Sequence, residues 1–209
     1  MSKSVSNSKS QPLSAESVAE AEQHLCRVDQ TIGRLISLHS PCSLAERPRS
    51  QFQTLAWSVI GQQLSAKAAA TITGRVAKLV TPPFEAANLL RVSPIDLRSA
   101  GLSSRKATCI TALAERISAG QLSLISLRSK TDDQVIQELT ETSGIGRWTA
   151  EMFLIFGMGR PDVLSLGDAG LRRAKDSLYG DVITLESLGA IWSPWCSVAS
   201  WYLWKHLDS

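Results

Sequence analysis

Apolar side chains near the start of the chain recur at alternating steps of three and four residues. An α-helix turns once in about 3.6 residues, so this spacing puts such side chains on one helical face. We therefore predict a helix that buries this face. The face consists of Val18, Ala21, Leu25, Val28, Ile32 and Leu35.

Start signals and the same periodicity predict further helices along the chain. Ser50 and Ser65 can each cap the helix that follows, and Thr131 begins a capping-box pattern. Two more helices are expected at about 168–179 and 194–207. No clear alternating strand accompanies them, so the pattern predicts an all-α fold.

Length and composition limit the class of protein. A chain of 209 residues with 44% hydrophobic content can form one compact domain or two closely joined lobes. Residues 1–14 are mostly Ser, Lys, Asn and Gln with no apolar core, which excludes a signal peptide and predicts a mobile tail. No run of about 18 apolar residues is present, so we expect no membrane span.

The four cysteines are Cys26, Cys42, Cys109 and Cys196. Their wide spacing predicts neither a disulfide framework nor a CxxC-type metal site. Free thiols in a reducing compartment are therefore expected, in a protein that is not secreted.

Positive charge is concentrated in the middle of the chain. Residues 47–116 hold ten Lys and Arg against three Asp and Glu, a net charge of +7 within a total of +3. Residues 1–46 carry −1 and residues 117–209 carry −3. This distribution fits a surface that binds an anion, and it equally fits an ordinary solvated basic face.

The segment TSGIGRWTAEM, residues 142–152, interrupts two helical patterns with Gly-Ile-Gly. A dinucleotide-binding fingerprint is excluded, since its third glycine is Thr149 here and a helical segment precedes. A Walker loop is excluded because Gly-Lys-Ser/Thr is absent. Two readings stay open: a turn that needs glycine for its dihedral angles, or a helix start whose backbone N–H groups bind a phosphate, assisted by Arg147.

The context of this hairpin resembles a known family. LTETSGIGRWTAEMFLIF, then SLGDAGLRRA, with LAWSVIGQQLSAKAAATITGRV upstream, is similar to the helix-hairpin-helix (HhH-GPD) DNA glycosylases, most of all the 3-methyladenine branch. The similarity covers about residues 50–207. It implies a single domain over 15–209, an all-α pair of lobes with an active-site cleft between them. One lobe would span about 45–150, and the other 15–44 with 151–209.

The resemblance implies that Asp168 is the catalytic carboxylate, twenty residues after Trp148. At a helix start, the dipole would keep it ionised, which suits stabilisation of a sugar cation as the base leaves. It could also orient the attacking water. An aspartate after glycine at a helix start is otherwise only a cap.

Trp148 stands where strand-cutting members of the superfamily have a lysine that forms a Schiff base. The resemblance therefore implies a monofunctional glycosylase, which hydrolyses the N-glycosidic bond and leaves an abasic site. Some relatives hold an iron–sulfur cluster through four closely spaced cysteines near the C-terminus, where this chain has only Cys196. We expect no cluster and no other cofactor.

A flipped, positively charged alkylpurine would be held against electron-rich aromatic faces, an attraction of about 0.5 to 2 kcal/mol. Aromatic and polar candidates for this pocket come from three segments, and core packing or a polar helix end is the alternative for each of them. Core packing is favoured for Trp192, Trp195 and Trp201. The pocket candidates are Trp148, Trp204, Trp57, Gln62, Gln63 and Ser65.

DNA contacts are expected from the hairpin and from the loop GLSSRKA. In that loop, relatives insert a wedge residue into the gap left by the base. Ser104 is the expected tip, and a serine fills the gap poorly, which predicts selectivity for bases that already stack or pair weakly. The candidate contacts are Gly144, Ile145, Gly146, Arg147, Thr149, Ser103, Ser104, Arg105 and Lys106.

The resemblance also implies a monovalent cation bound by the backbone carbonyls of Thr140, Thr142 and Ile145. The expected partner is double-stranded DNA with damaged bases, bound by a monomer in a bacterial cytoplasm and nucleoid or in a eukaryotic nucleus. Two alternatives stay open: a protein that recognises lesions without chemistry, and a lyase for oxidised bases, which would lack its lysine.

Overall fold

The computed structural model describes residues 11–208, and within them it contains twelve α-helices and no strand. The predicted all-α class is therefore confirmed. Short 3₁₀ helices span Ser43–Ala45 and Ser126–Ser129, and a π-helical turn spans Phe153–Met158. The α-helices are α1 Ala15–Val28, α2 Gln30–His39, α3 Gln51–Gly61, α4 Ala66–Leu79, α5 Ala86–Leu89, α6 Pro94–Ser99, α7 Ser104–Ser118, α8 Asp132–Thr140, α9 Arg147–Met152, α10 Ala169–Tyr179, α11 Leu185–Trp192 and α12 Cys196–Leu207.

The helices form two lobes. Among the described residues, the terminal lobe comprises those up to Arg47 and from Met158 onward, and the central lobe runs from Pro48 to Gly157. The sequence places the second boundary at about residue 150. None of the helices within residues 11–208 combines the length and the apolar character needed to cross a membrane.

In the terminal lobe, α1 packs against α2, α11 and α12, and α12 also packs against α2 and α10. The single helix predicted from Val18 to Leu35 is wrong, because the chain breaks at Asp29 between α1 and α2. Asp29 has an extended backbone with φ −146° and ψ 107°. Its Oδ1 accepts hydrogen bonds from the amides of Thr31 and Ile32, so a new helix starts there.

Long-range hydrogen bonds explain why the chain breaks at Asp29. Its Oδ2 accepts from the Tyr179 hydroxyl and from the Trp192 indole, each at 2.8 Å. The predicted face is still buried on both helices except at Val28, which is exposed beside the break. Burial and then Asp29 raise the pKa of Tyr179, so the hydroxyl stays protonated as a donor.

In the central lobe, α3 packs against α4, α7 and α9. It begins after Ser50, whose hydroxyl accepts from the Gln53 amide at 3.1 Å, as the capping pattern predicts. The predicted inward face of Phe52, Leu55, Ala56, Val59 and Ile60 is buried. This helix therefore contributes a buried apolar face to the core of the lobe.

The first ten residues of the predicted tail lie outside the described residues. The prediction is wrong at its end, because Leu13 is buried. The Leu13 amide donates to the Gly159 carbonyl at 2.8 Å, and its carbonyl accepts from Arg47 at 2.9 Å. Ser14 then caps α1.

The sequence reading missed one helix near the C-terminus. Thr184 caps α11, in which Leu185, Leu188 and Trp192 are buried at helical spacing. Trp192 belongs to the core as expected, whereas Trp195 and Trp201 are half-buried. The last helix begins at Cys196 rather than at residue 194.

Candidate active site and hairpin

Gly144 and Gly146 of the predicted hairpin lie in the turn between α8 and α9, which confirms a helix-hairpin-helix. Gly144 has φ +92°, and a Cβ there would lie 2.9 Å from both Cβ and Sγ of Cys109. Burial raises the pKa of that thiol to about 11, so Cys109 packs as a neutral group. The local fold therefore requires glycine at position 144.

Gly146 differs from Gly144. It has φ −97°, a region open to any residue, and nothing lies within 4 Å of a Cβ built there. It is the exposed N-cap of α9 and makes no side-chain capping bond. The first N–H groups of α9 have no acceptors within the helix. Local geometry thus does not explain the second glycine.

Gln62 braces the hairpin from the end of α3. Its side-chain Nε2 donates to the Gly144 carbonyl at 3.0 Å and to the Thr149 hydroxyl at 2.8 Å. The Ile145 amide donates to the Thr142 carbonyl at 3.0 Å. The carbonyls of Gly144 and Thr142 thus have hydrogen-bond partners within the lobe.

The side chains of two predicted DNA contacts are buried. Thr149 is 1% exposed and Ile145 is 4% exposed, so neither side chain can reach a DNA strand. Thr149 serves as an internal acceptor for Gln62, and Ile145 packs in the core. Both side chains therefore shape the hairpin.

A second brace comes from α7. Arg116 donates from Nη1 to the Thr142 hydroxyl at 2.7 Å and from Nη2 to Glu141 at 2.8 Å. Sequence reasoning missed Arg116, because Thr142 lies 26 residues further along the chain and no local pattern connects them.

Arg147 and Trp148 occupy the first turn of α9. The Arg147 side chain is 69% exposed, and its Nε pairs with the buried Glu151 carboxylate at 2.8 Å. Trp148 is half-buried. The exposed guanidinium beside the helix start suits a phosphate contact.

Lys106 has hydrogen-bond partners within the lobe. The sequence predicts a phosphate contact, but its ammonium donates to the carbonyls of Ile60 at 2.8 Å and Gln62 at 2.7 Å. These carbonyls end α3, where a cation is favoured by the helix dipole. Burial lowers the pKa of Lys106. The adjacent Arg105 is exposed.

The loop GLSSRKA is largely helical. Ser103 caps α7 through a bond from the Lys106 amide at 3.3 Å, and Ser104 is the first helical residue. Ser103, Ser104 and Arg105 are all exposed. The expected wedge residue therefore lies at a helix start rather than at a loop tip, because Ser103 ends the loop.

Three pocket candidates of the central lobe have other contacts or an unusual backbone. Ser65 caps α4 through the Ala68 amide at 3.3 Å, which matches the alternative of a polar helix end. The half-buried Trp57 packs edge-on against Phe84 with ring centroids 4.6 Å apart. Gln63 is exposed with φ +55°, a left-handed conformation unusual for a side chain of this size.

Asp168 caps α10 in the terminal lobe. Its Oδ1 accepts from the Leu171 amide at 2.7 Å and from the Trp204 indole at 3.0 Å. Asp168 is 8% exposed, and Trp204 is half-buried. The alternative of a helix cap is thus observed, and the cap also fixes the orientation of the carboxylate.

Sequence reasoning also missed Gly170. A Cβ there would lie 3.0 Å from Asp168 Oδ1 and 3.2 Å from Trp204 Cδ1. The sequence signal for it is the second glycine of GDAG, two residues after Asp168. The structure thus connects Asp168 and Trp204 by a hydrogen bond. Separate hydrogen bonds connect Gln62 with Lys106 and with the hairpin.

The carbonyls of the expected cation site are neutral oxygens at the end of α8 and in the hairpin that follows it. Thr140 is the last residue of α8, so its carbonyl has no acceptor role within the helix and carries partial negative charge. The Thr142 carbonyl already accepts one hydrogen bond and keeps a second lone pair. This donor type suits a hard monovalent cation.

Three comparisons identify similar proteins. Residues 56–181 match the model of the HhH-GPD superfamily base excision DNA repair protein. DNA-3-methyladenine glycosylase 1 of Schizosaccharomyces pombe is 30% identical over 90% of this chain and 87% of its own. The crystal structure of DNA-3-methyladenine glycosidase from Bacillus halodurans is 38% identical, with a TM-score of 0.70, and the match covers 91% of this chain and 89% of that chain.

A structure of the 3-methyladenine DNA glycosylase of Schizosaccharomyces pombe in complex with abasic DNA has a TM-score of 0.81 at 29% identity. This match covers 91% of our chain and 97% of that chain. The family model spans more than half of the sequence and includes the hairpin and Asp168. The chain therefore belongs to the HhH-GPD superfamily of base excision DNA repair proteins.

Proposed function

We propose that this protein is a DNA glycosylase that excises alkylated purines such as 3-methyladenine from double-stranded DNA. It hydrolyses the N-glycosidic bond and leaves an abasic site. The observation that carries the proposal is the carboxylate of Asp168, held at the start of α10 by the Leu171 amide and the Trp204 indole. The similar proteins named as 3-methyladenine glycosylases or glycosidases support 3-methyladenine as a substrate.

Asp168 supplies negative charge to the reaction. When the bond to the base breaks, the deoxyribose develops positive charge, and a fixed carboxylate stabilises that charge without reorganisation. Alkylated purines already carry positive charge and leave readily, so strong acid catalysis is not needed.

The finer proposal is that the enzyme is monofunctional. The first turn of α9 carries Trp148, and an indole cannot form the Schiff base that a lysine amine forms with the sugar. In the central lobe, the Lys106 ammonium is directed at the α3 carbonyls. Trp148 offers instead an aromatic face on which a cationic base can stack.

We assign DNA binding to the start of α9. Its N–H groups, exposed at Gly146, would bind a backbone phosphate, and Arg147 and Arg105 would add charged contacts. A monovalent cation at the carbonyls of Thr140, Thr142 and Ile145 would add positive charge beneath that phosphate. The protein would act as a monomer on DNA with damaged bases.

The test is mass-spectrometric identification of bases freed from methylated duplex DNA. We expect release of 3-methyladenine by the natural protein and none by Asp168→Asn, which should still bind abasic DNA. Glu186→Gln is a matched control, since Glu186 is an exposed acid in the first turn of α11. It should release base at the normal rate.

Two outcomes would contradict the proposal. Release by Asp168→Asn at the normal rate would exclude Asp168 as the catalytic residue. Binding of abasic DNA with no base release by the natural protein would indicate a lesion-recognising protein without chemistry. Borohydride trapping tests the claim that the enzyme is monofunctional, because a covalent protein–DNA adduct would reveal a lyase.

A further inference from the structure

We infer that Trp204 is a positioning residue that acts on the reaction through Asp168, in addition to any stacking on the base. The inference deepens the proposed function and depends on it. Its basis lies within the terminal lobe, in the contacts of Asp168, Gly170, Leu171 and Trp204.

Two hydrogen bonds from different helices meet on one oxygen of Asp168. The Leu171 amide of α10 donates at 2.7 Å, and the Trp204 Nε1 of α12 donates at 3.0 Å, both to Oδ1. The carboxylate cannot exchange its two oxygens without breaking both bonds. The position of Oδ2 is therefore fixed relative to α10 and α12.

Gly170 makes room for this arrangement. A Cβ at position 170 would lie 3.0 Å from Asp168 Oδ1, 3.2 Å from Trp204 Cδ1 and 3.3 Å from Trp204 Nε1. Gly170 is not among the described glycines with positive φ, so its backbone does not require glycine. The space is needed where the indole edge meets the carboxylate.

This geometry goes beyond what stacking requires. An aromatic residue that only stacks on a base could be Phe or Tyr, and its edge would need no partner. In Trp204 the N–H donates to the carboxylate, a charge-assisted bond that is stronger than one between neutral groups. We therefore expect Trp204 to affect the chemical step more than DNA affinity.

The experiment compares three changes that separate the indole from Asp168 in different ways. Trp204→Phe keeps an aromatic face and removes the donor. Replacement of Trp204 by 3-benzothienylalanine keeps the bicyclic shape and exchanges only the N–H for sulfur. Gly170→Ala keeps both side chains and moves them apart. Trp201→Phe is the matched control, since Trp201 is a half-buried tryptophan of the same helix.

The measurements are the single-turnover rate of base release and the Kd for DNA with a stable abasic analogue. Loss of one charge-assisted hydrogen bond should lower the rate about 10-fold to 100-fold in the Phe and benzothienyl variants. Gly170→Ala should lower it in the same direction. The Kd should stay within about twofold of normal in all three, and Trp201→Phe should change neither value.

A benzothienyl variant with the normal rate would overturn the inference, because its shape is retained and only the donor is lost. A rise in Kd at a normal rate would assign Trp204 to stacking alone and would also overturn it. If Trp204→Phe fails to fold, the benzothienyl variant still tests the inference, because it keeps the bicyclic shape of the side chain. Failure of the proposed function is distinguishable, because the natural protein itself would then release no base.

Discussion

The side-chain amide of Gln62 donates a hydrogen bond of 3.0 Å to the backbone carbonyl of Gly144, 82 residues further along the chain. The same nitrogen also donates to Thr149. One side chain thus ties the end of α3 to the turn of the hairpin and to the first turn of α9. The hairpin backbone is held in place before any ligand arrives, which lowers the cost of binding.

Replacement of Gln62 by methionine, which has a similar length and no donor, should weaken DNA binding. The Gly144 carbonyl and the Thr149 hydroxyl would lose their shared partner, at a cost of about 1 to 3 kcal/mol in the free energy of unfolding. The salt dependence of binding should not change, since no charged phosphate contact is lost. Fluorescence anisotropy at several salt concentrations measures both quantities.

Gln137→Met is the control for this experiment, because Gln137 is an exposed glutamine on α8. It should bind DNA normally. Normal affinity in the Gln62→Met protein would contradict a role of Gln62 in shaping the hairpin for DNA.

Arg105 is exposed, whereas the ammonium of its neighbour Lys106 is bonded within the lobe, so the two residues predict different salt dependences. Arg105→Met should reduce the slope of log K against log salt by about 0.9, the value for one phosphate contact. Lys106→Met should leave the slope unchanged and should lower the free energy of unfolding, because its ammonium holds the carbonyls of Ile60 and Gln62. A smaller slope in Lys106→Met would show that its ammonium contacts a phosphate.

Sequence patterns predicted local structure better than long-range contacts. The capping signals at Ser50 and Thr131 and the burial of one α3 face follow from spacing alone, and the structure contains them. The internal partners of Lys106 and Thr149 could not be predicted, because they lie 44 and 87 residues away on Gln62. Such partners are set by tertiary packing, which no local spacing reports.

The break at Asp29 illustrates the same limit. Helical spacing continues from Val18 to Leu35 without interruption, yet the helix ends before Asp29. The reason is two donors that are 150 and 163 residues away, Tyr179 and Trp192. Periodicity predicted which side chains are buried, but it could not detect that one polar residue has partners elsewhere.

Asp29→Ala should destabilise the terminal lobe strongly. The substitution removes the cap of α2 and leaves the buried Trp192 indole without its acceptor. Together these losses should lower the free energy of unfolding by about 2 to 4 kcal/mol. Asp29→Asn should lose less, since its one amide oxygen can still accept one of the two sets of bonds, either from the amides of α2 or from Tyr179 and Trp192. Urea unfolding measures both values, and a change below about 0.5 kcal/mol in Asp29→Ala would contradict the assignment.

The two hairpin glycines predict opposite results for the same substitution. Asparagine tolerates positive φ better than most residues and also caps helices well, so Gly144→Asn and Gly146→Asn both minimise backbone effects. At position 144 the new Cβ meets Cys109 at 2.9 Å, and crowding should cost about 1 to 3 kcal/mol of folding stability.

At position 146 the structure leaves the new Cβ open space, so Gly146→Asn should unfold at the same urea concentration as the natural protein. Its DNA affinity should nevertheless fall, because a side chain would stand where the start of α9 meets a phosphate. Anisotropy titration with abasic duplex DNA measures this. Normal affinity together with normal stability would mean that neither the fold nor the ligand needs the second glycine, and the phosphate contact would have to be sought at Arg147 instead.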